Sequence, residues 1–252
     1  MQQAYRAESA ALSPFWTLWA PLGTLAGLLA LAYVAPGIYA RHIQPEGFGL
    51  LEIAHVVLPA WVAVLGVMML ATPYMRADWL RVLWCAGLVV GGIYWAGEEA
   101  SWGQHWFGWA TPDGWQELND QSETNLHNTS QLLDQLPRAI LRAGIIGTGL
   151  IGPLFILYRP QWQPRRLLFS VVPLAGVPLA ALVLAMEPLL YFKGWFQDLF
   201  DRSVFTIRAA EIDELYVAWY LVLYAIVLYR RATGTSPFAQ GAAVPSAHGV
   251  TA

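Results

Sequence analysis

Two adjacent glutamates, Glu98 and Glu99, end an apolar run and open a segment that alternates tryptophan with polar groups as far as Asn128. The uncharged stretch before them, residues 82–97, is 16 residues long, or about 24 Å of helix at 1.5 Å per residue. Both carboxylates therefore fall at or just inside the boundary of a hydrocarbon layer, where a charge is costly unless partnered. Ser101 and His127 belong to the same segment, and their chemistry suits acid–base catalysis or metal ligation. At similar depth in other apolar blocks stand Glu52 and His55, Arg138 and Arg142, Glu187, and the group Glu211, Asp213 and Glu214. Charges so placed tend to face a bundle interior and pair with one another, which predicts one outward-facing polar cavity. On this reading Glu98, Glu99, His127 and Ser101 are catalytic candidates. His127, Glu99, His55, Glu211 and Glu214 are candidate ligands for a divalent metal such as zinc. The plainer alternative is that Arg138 or Arg142 neutralises Glu98 or Glu99, and that Glu211 and Glu214 are favourable first-turn acids.

Spacing separates the possible chemistries. Glu52-x-x-His55 has the Glu-x-x-His spacing of di-metal carboxylate bundles, but those need a second such pair and none exists here. A single ion held by imidazole and carboxylates remains open. Ser101 and His105 lie one helical turn apart, slightly similar to the Ser/His pairing of alkaline ceramidase-type membrane hydrolases, which are zinc-dependent amidases. The second paired-histidine motif of those enzymes is absent. No Gly-x-Ser-x-Gly elbow, P-loop or dinucleotide fingerprint occurs. The segment also resembles a family of bacterial multi-pass membrane proteins with a GEExSWGQ stretch followed by an ExNLHN stretch. Gly97, Glu98, Glu99, Ser101, Trp102, Gly103 and Gln104 match the first, and Glu123, Asn125, Leu126, His127 and Asn128 the second. The resemblance covers about 32 residues and carries no established activity. That family has arginine where this chain has His105, which leaves His127 the better histidine.

The elements that must position these residues are legible from composition. Of 252 residues, 57% are hydrophobic and only 12% charged, about half the charge of a soluble domain. Lipid around the exterior resolves that imbalance, and thirteen tryptophans and eleven tyrosines suit membrane–water interfaces. Six apolar blocks, roughly 15–35, 53–75, 80–97, 139–158, 167–191 and 213–230, approach the ~20 residues that cross a bilayer. The expected fold is all-α: a polytopic bundle of about six transmembrane helices with an interfacial or re-entrant segment after the third. Gly144, Gly147, Gly149 and Gly152 would let helices approach closely, and no internal repeat is visible. The lone cysteine, Cys85, lies in an apolar block and reads as a core residue. Arg6 is the only basic residue before a first apolar block too long for a signal h-region, so that helix is expected to remain in the mature protein.

Arginine placement gives an orientation. One face carries Arg6, Arg76, Arg81, Arg159, Arg165, Arg166, Arg230 and Arg231, eight positive charges against six on the other. The face with more is expected to be cytoplasmic, with both termini on it, and residues 98–137 outward. Only Glu8 and Asp78 of seventeen acids fall on the cytoplasmic side. Residues 1–14 then form a cytoplasmic N-terminus, 15–231 the membrane domain, and 232–252, rich in small, proline and glycine residues, a disordered tail. A single lysine among fourteen basic residues points to a bacterial source, hence the inner membrane. A net charge of −3 and the lack of a basic run exclude nucleic acid. Three functions fit: a membrane-embedded hydrolase-like enzyme acting on a lipid or lipid-linked substrate, a non-catalytic scaffold, or a cation transporter. The inner halves of the blocks offer almost no ionisable group, which ranks transport last.

Overall fold

The chain folds as helices, with no strand among the residues described by the computed structural model, 2–119, 122–159, 168–186 and 208–236. In order these are α1 (Gln2–Ala11), α2 (Phe15–Val34), α3 (Pro36–His42), α4 (Leu50–Leu70), α5 (Trp79–Glu99), α6 (Gln131–Tyr158), α7 (Leu174–Met186) and α8 (Ala209–Ala232). Five of them, α2, α4, α5, α6 and α8, are long and apolar enough to cross a membrane. The protein is therefore an all-α bundle of membrane-spanning length.

Helix α8 is the hub. About 61% of its apolar window is buried, against 17–39% for the other four, so its neighbours turn most of their apolar surface outward, as lipid-facing helices do. Tyrosines on α8 reach across to three of its neighbours. Tyr216 donates to the Pro21 carbonyl of α2, Tyr220 lies 3.1 Å from the Thr148 hydroxyl of α6, and Tyr224 accepts from the Trp84 indole of α5 at 2.7 Å. Helices α4 and α5 meet through small residues. A Cβ on Gly92 would stand 2.6 Å from the Pro59 carbonyl and 3.0 Å from the Ala63 nitrogen, so only glycine permits this approach. Pro59 also lacks the N–H that would bond the carbonyl of His55, opening the α4 ladder one turn into the helix, at a site residue.

Two elements depart from the sequence expectation. Helix α6 begins at Gln131, eight residues before the expected block, which brings Arg138 inside it. Ser130 caps it by accepting from Leu133 N–H, and Asp134 pairs with Arg138 one turn on at 3.0 Å. The fifth block was expected as one span over 167–191. Its described part holds a 3₁₀ turn at Leu168–Ser170, a non-helical stretch Val171–Pro173, and then the shorter helix α7, whose first turn is 3₁₀; Glu187 to Tyr191 lie outside the described residues. Pro173 supplies the reason, since it holds Val172 out of the helical region and donates no hydrogen bond.

The end of the bundle opposite Glu98 is closed by charge pairing. Arg231 is fully buried; its guanidinium binds both oxygens of Glu8, at 2.6 Å for the closest contact, and donates to the Phe169 carbonyl at 2.6 Å. Ser236 donates to Glu8 and is itself buried, while Thr233 and Thr235 before it are exposed. The remainder of 232–252 lies outside the described residues. Asp78, the other acid of this end, caps α5 through Leu80 N–H at 2.9 Å. Replacing Glu8 with alanine strands a buried guanidinium, a loss of about 3–5 kcal/mol. Equilibrium unfolding in detergent should show that loss for Glu8→Ala, while Arg6→Ala, at an exposed neighbour, stays within about 0.5 kcal/mol of wild type.

Candidate functional site

Beyond Glu99 the chain reverses sharply. Ser101 and Trp102 take left-handed conformations (φ 44° and 55°), followed by Gly103 at φ 106°. For the two non-glycine residues this costs of order 1 kcal/mol each or more, so the surroundings must impose it. Ser101 is completely buried, and its hydroxyl lies 2.9 Å from His105 Nε2, donates to Glu123 Oε2 at 2.9 Å, and accepts from Asn125 Nδ2 at 3.2 Å. Gln104 accepts from Thr124 N–H at 2.8 Å, and Thr124 donates to the Ser101 carbonyl at 2.8 Å. These bonds tie the returning stretch 122–129 to the start of the loop. They also account chemically for both halves of the sequence pattern. The Ser101 oxygen, sealed and fully committed, fastens the loop; it sits with His105 and Glu123, apart from His127.

Glu98 holds the same loop from the helix. Its carboxylate accepts from Leu126 N–H at 2.6 Å, His127 N–H at 2.8 Å and the Trp102 indole at 2.8 Å. It also lies 3.3 Å from His127 Nδ1. A carboxylate facing Nδ1 favours the proton on that nitrogen and leaves Nε2 as the basic one. Burial alone would lower the pKa of His127. The hydrogen bond to Glu98 and the charges of Glu99, Glu98 and Glu214 outweigh it, so the net shift is upward.

Glu99, one residue on, points elsewhere. It accepts from the Trp95 indole at 3.2 Å and places an oxygen 3.6 Å from His55 Nδ1. Glu214 of α8 lies 3.9 Å from the same nitrogen, and Glu52, one turn before His55, joins the group. Ligand atoms of Glu52, His55 and Glu99 all lie within 4.8 Å of one another. The other face of the His55 ring meets the Glu211 backbone carbonyl, 2.9 Å from Nε2. Arg208 ties Glu211 (2.5 Å), Glu46 (3.2 Å) and Glu52 (3.4 Å), while Arg138 holds Glu214 at 2.7 Å and Arg142 holds Asp213 at 2.6 Å.

A cavity of about 400 Å³ joins these groups, in the size range of small-ligand sites. Helices α5, α6 and α8 form its walls. Glycines and leucines such as Gly87, Leu88, Gly91 and Leu221 line its body, and Glu98, Glu99, His127, Arg138, Arg142 and Glu214 its polar end. The structure thus brings Glu98, Glu99, His127 and Glu214 to one cavity and sets His55 and Glu211 just behind Glu99. Glu187 lies outside the described residues. Sequence reasoning left Glu52 out of the ligand set, although its i,i+3 spacing from His55 already put both on one face. It also passed over Glu123 and Asn125, whose signal was their place in the ExNLHN stretch. Comparison with protein-family models, curated proteins and solved structures finds no match.

The His127 shift makes the loop contact pH-dependent. A folded-state pKa above the ordinary ~6.5 contributes stability that is complete below about 6.5. That contribution is lost as pH rises through the raised value. Thermal unfolding of wild type should therefore lose stability across that rise, and His127→Gln should remove that part of the pH dependence.

Proposed function

We propose that this protein is a membrane-embedded enzyme that hydrolyses a lipid or lipid-linked substrate at its head-group end. The observation that supports this most is the shape of the cavity: an apolar channel along α5 and α8 that ends in a cluster of carboxylates, guanidiniums and one available imidazole. An amphiphile matches that distribution, its chain against Gly87, Leu88 and Leu221 and its head group among the charges. Arg138 and Arg142 bring two guanidiniums to the polar end of the cavity, which suits an anionic head group. His127 would act as general base, with Glu98 fixing its ring. Nε2 takes a proton from the attacking water as the new O–C or O–P bond forms, then returns it to the departing oxygen as the scissile bond breaks. Among the described residues, the apolar lining at the far end of the cavity offers no chain of ionisable groups toward the other membrane face, which favours catalysis over cation transport.

The arginine asymmetry, together with Glu8 and Arg231 meeting at one end of the bundle, supports an N-in, C-in arrangement in a bacterial inner membrane. The site would then open to the outer leaflet. The test is turnover in lipid nanodiscs made from bacterial polar lipids, followed by mass spectrometry of the lipid pool. Wild type should convert one lipid class to its hydrolysis products. His127→Ala, still monodisperse and folded, should be slower by about 10²–10⁴-fold. Equal rates in the two proteins, or no lipid consumed by wild type, would refute the proposal.

A further inference from the structure

His55 is the anomaly of the polar end. Its side chain is completely buried, and Nδ1 has no hydrogen-bond partner. The Glu211 backbone carbonyl, 2.9 Å from Nε2, can only accept, so Nε2 carries the proton. In a neutral ring Nδ1 is then a bare lone pair aimed among carboxylates, an arrangement that repels unless something positive stands between them. The Glu211 Oε2 oxygen behind it is also buried and without a partner. Charge counting agrees. Among the described residues, the guanidiniums of Arg208 and Arg138 are shared among Glu46, Glu52, Asp134, Glu211 and Glu214, and Glu99 stands beside them, so carboxylates outnumber guanidiniums around His55.

Distances separate the two ways of supplying that positive charge. A proton on Nδ1 would draw a carboxylate oxygen to about 2.7–2.9 Å. The nearest oxygens, from Glu99 and Glu214, stand at 3.6 and 3.9 Å. Two ligands each about 2.1 Å from a shared ion at a tetrahedral angle lie roughly 3.4 Å apart. The observed spacing is thus that of neighbouring ligands, slightly open. The carbonyl bond to Nε2 is the outer contact that ordinarily fixes the ring of a metal-bound histidine.

We infer that Glu52, His55 and Glu99, closed by Glu214, bind one divalent transition-metal ion of the zinc or manganese class. One imidazole nitrogen with carboxylate oxygens suits such ions. Glu99 and Glu214 also line the cavity, so the ion would border its polar end, where it could polarise a bound oxygen. His127 stays outside the ligand set, bound to Glu98. The inference does not depend on the lipid reading, because binding is measured without any substrate.

Full-length protein without a histidine tag, purified in detergent and stripped with chelator, would be titrated with Zn²⁺ and with Mn²⁺ by calorimetry, with bound metal counted by elemental analysis. Close to one ion per chain is expected for wild type and for Asp113→Asn, at an exposed position in the short helix Asp113–Gln116. His55→Ala and Glu99→Gln should each weaken binding by about 100-fold or more, since even loss of an outer partner costs roughly 10–100-fold. If those variants do not fold, X-ray absorption on wild type decides: a shell containing one imidazole nitrogen supports the site, and an oxygen-only shell overturns it. Failure of wild type to bind either ion, or unchanged binding in both variants, also overturns it.

Discussion

Three donors converge on the Glu98 carboxylate from the loop that follows it, and that end of the bundle is built around the convergence. A carboxylate left unpaired near a hydrocarbon boundary would cost several kcal/mol. Here the backbone N–H groups of Leu126 and His127 and the Trp102 indole satisfy it. Those donors can reach Glu98 only if the chain doubles back over the mouth of the bundle. The left-handed turn at Ser101 and Trp102, and the knot of Ser101, Glu123 and Asn125 that secures it, follow from this requirement. His127 reaches the cavity as a consequence. Its imidazole is placed by the same carboxylate that anchors its backbone.

The two ends of the bundle solve the problem of buried charge in opposite ways. At one, Arg231 is saturated by Glu8 and the Phe169 carbonyl, and Ser236 completes Glu8. Such a fully satisfied pair fixes structure and leaves nothing over for a ligand. At the other, acids outnumber guanidiniums, and buried polar atoms such as His55 Nδ1 and Glu211 Oε2 go without partners. A unit under selection for stability alone would not keep orphaned buried groups. His55 and Glu211 lie beside a cavity that reaches into the apolar body, and on that juxtaposition the proposed function rests.

Hydropathy alone carried the reading of α2, α4, α5 and α8, because a spanning helix announces itself by length and lack of charge. It misjudged α6, whose first two turns carry Asp134, Pro137 and Arg138 and so look like loop, although the Ser130 cap and the Asp134–Arg138 pair make them helical. It also ran straight through Pro173, where the described backbone breaks. At the site, depth of charge correctly pointed to the residues that gather, but not to how they divide. Glu98 and Glu99 project about 100° apart on their helix. One therefore anchors the loop while the other faces His55, a choice set by helix rotation that sequence does not encode. The role of Ser101 was hidden for a related reason, since its partners Glu123 and Asn125 are more than twenty residues away.

The central claim is that the cavity between α5, α6 and α8 receives an amphiphile whose polar end meets His127 and Arg138. A cryo-electron microscopy structure of the protein in nanodiscs of bacterial polar lipids tests it most directly. The account predicts elongated density along Gly87, Leu88 and Leu221, with a polar head within hydrogen-bonding distance of His127 or Arg138. A structure in which α6 packs directly against α5, leaving no cavity and no bound density, would contradict it.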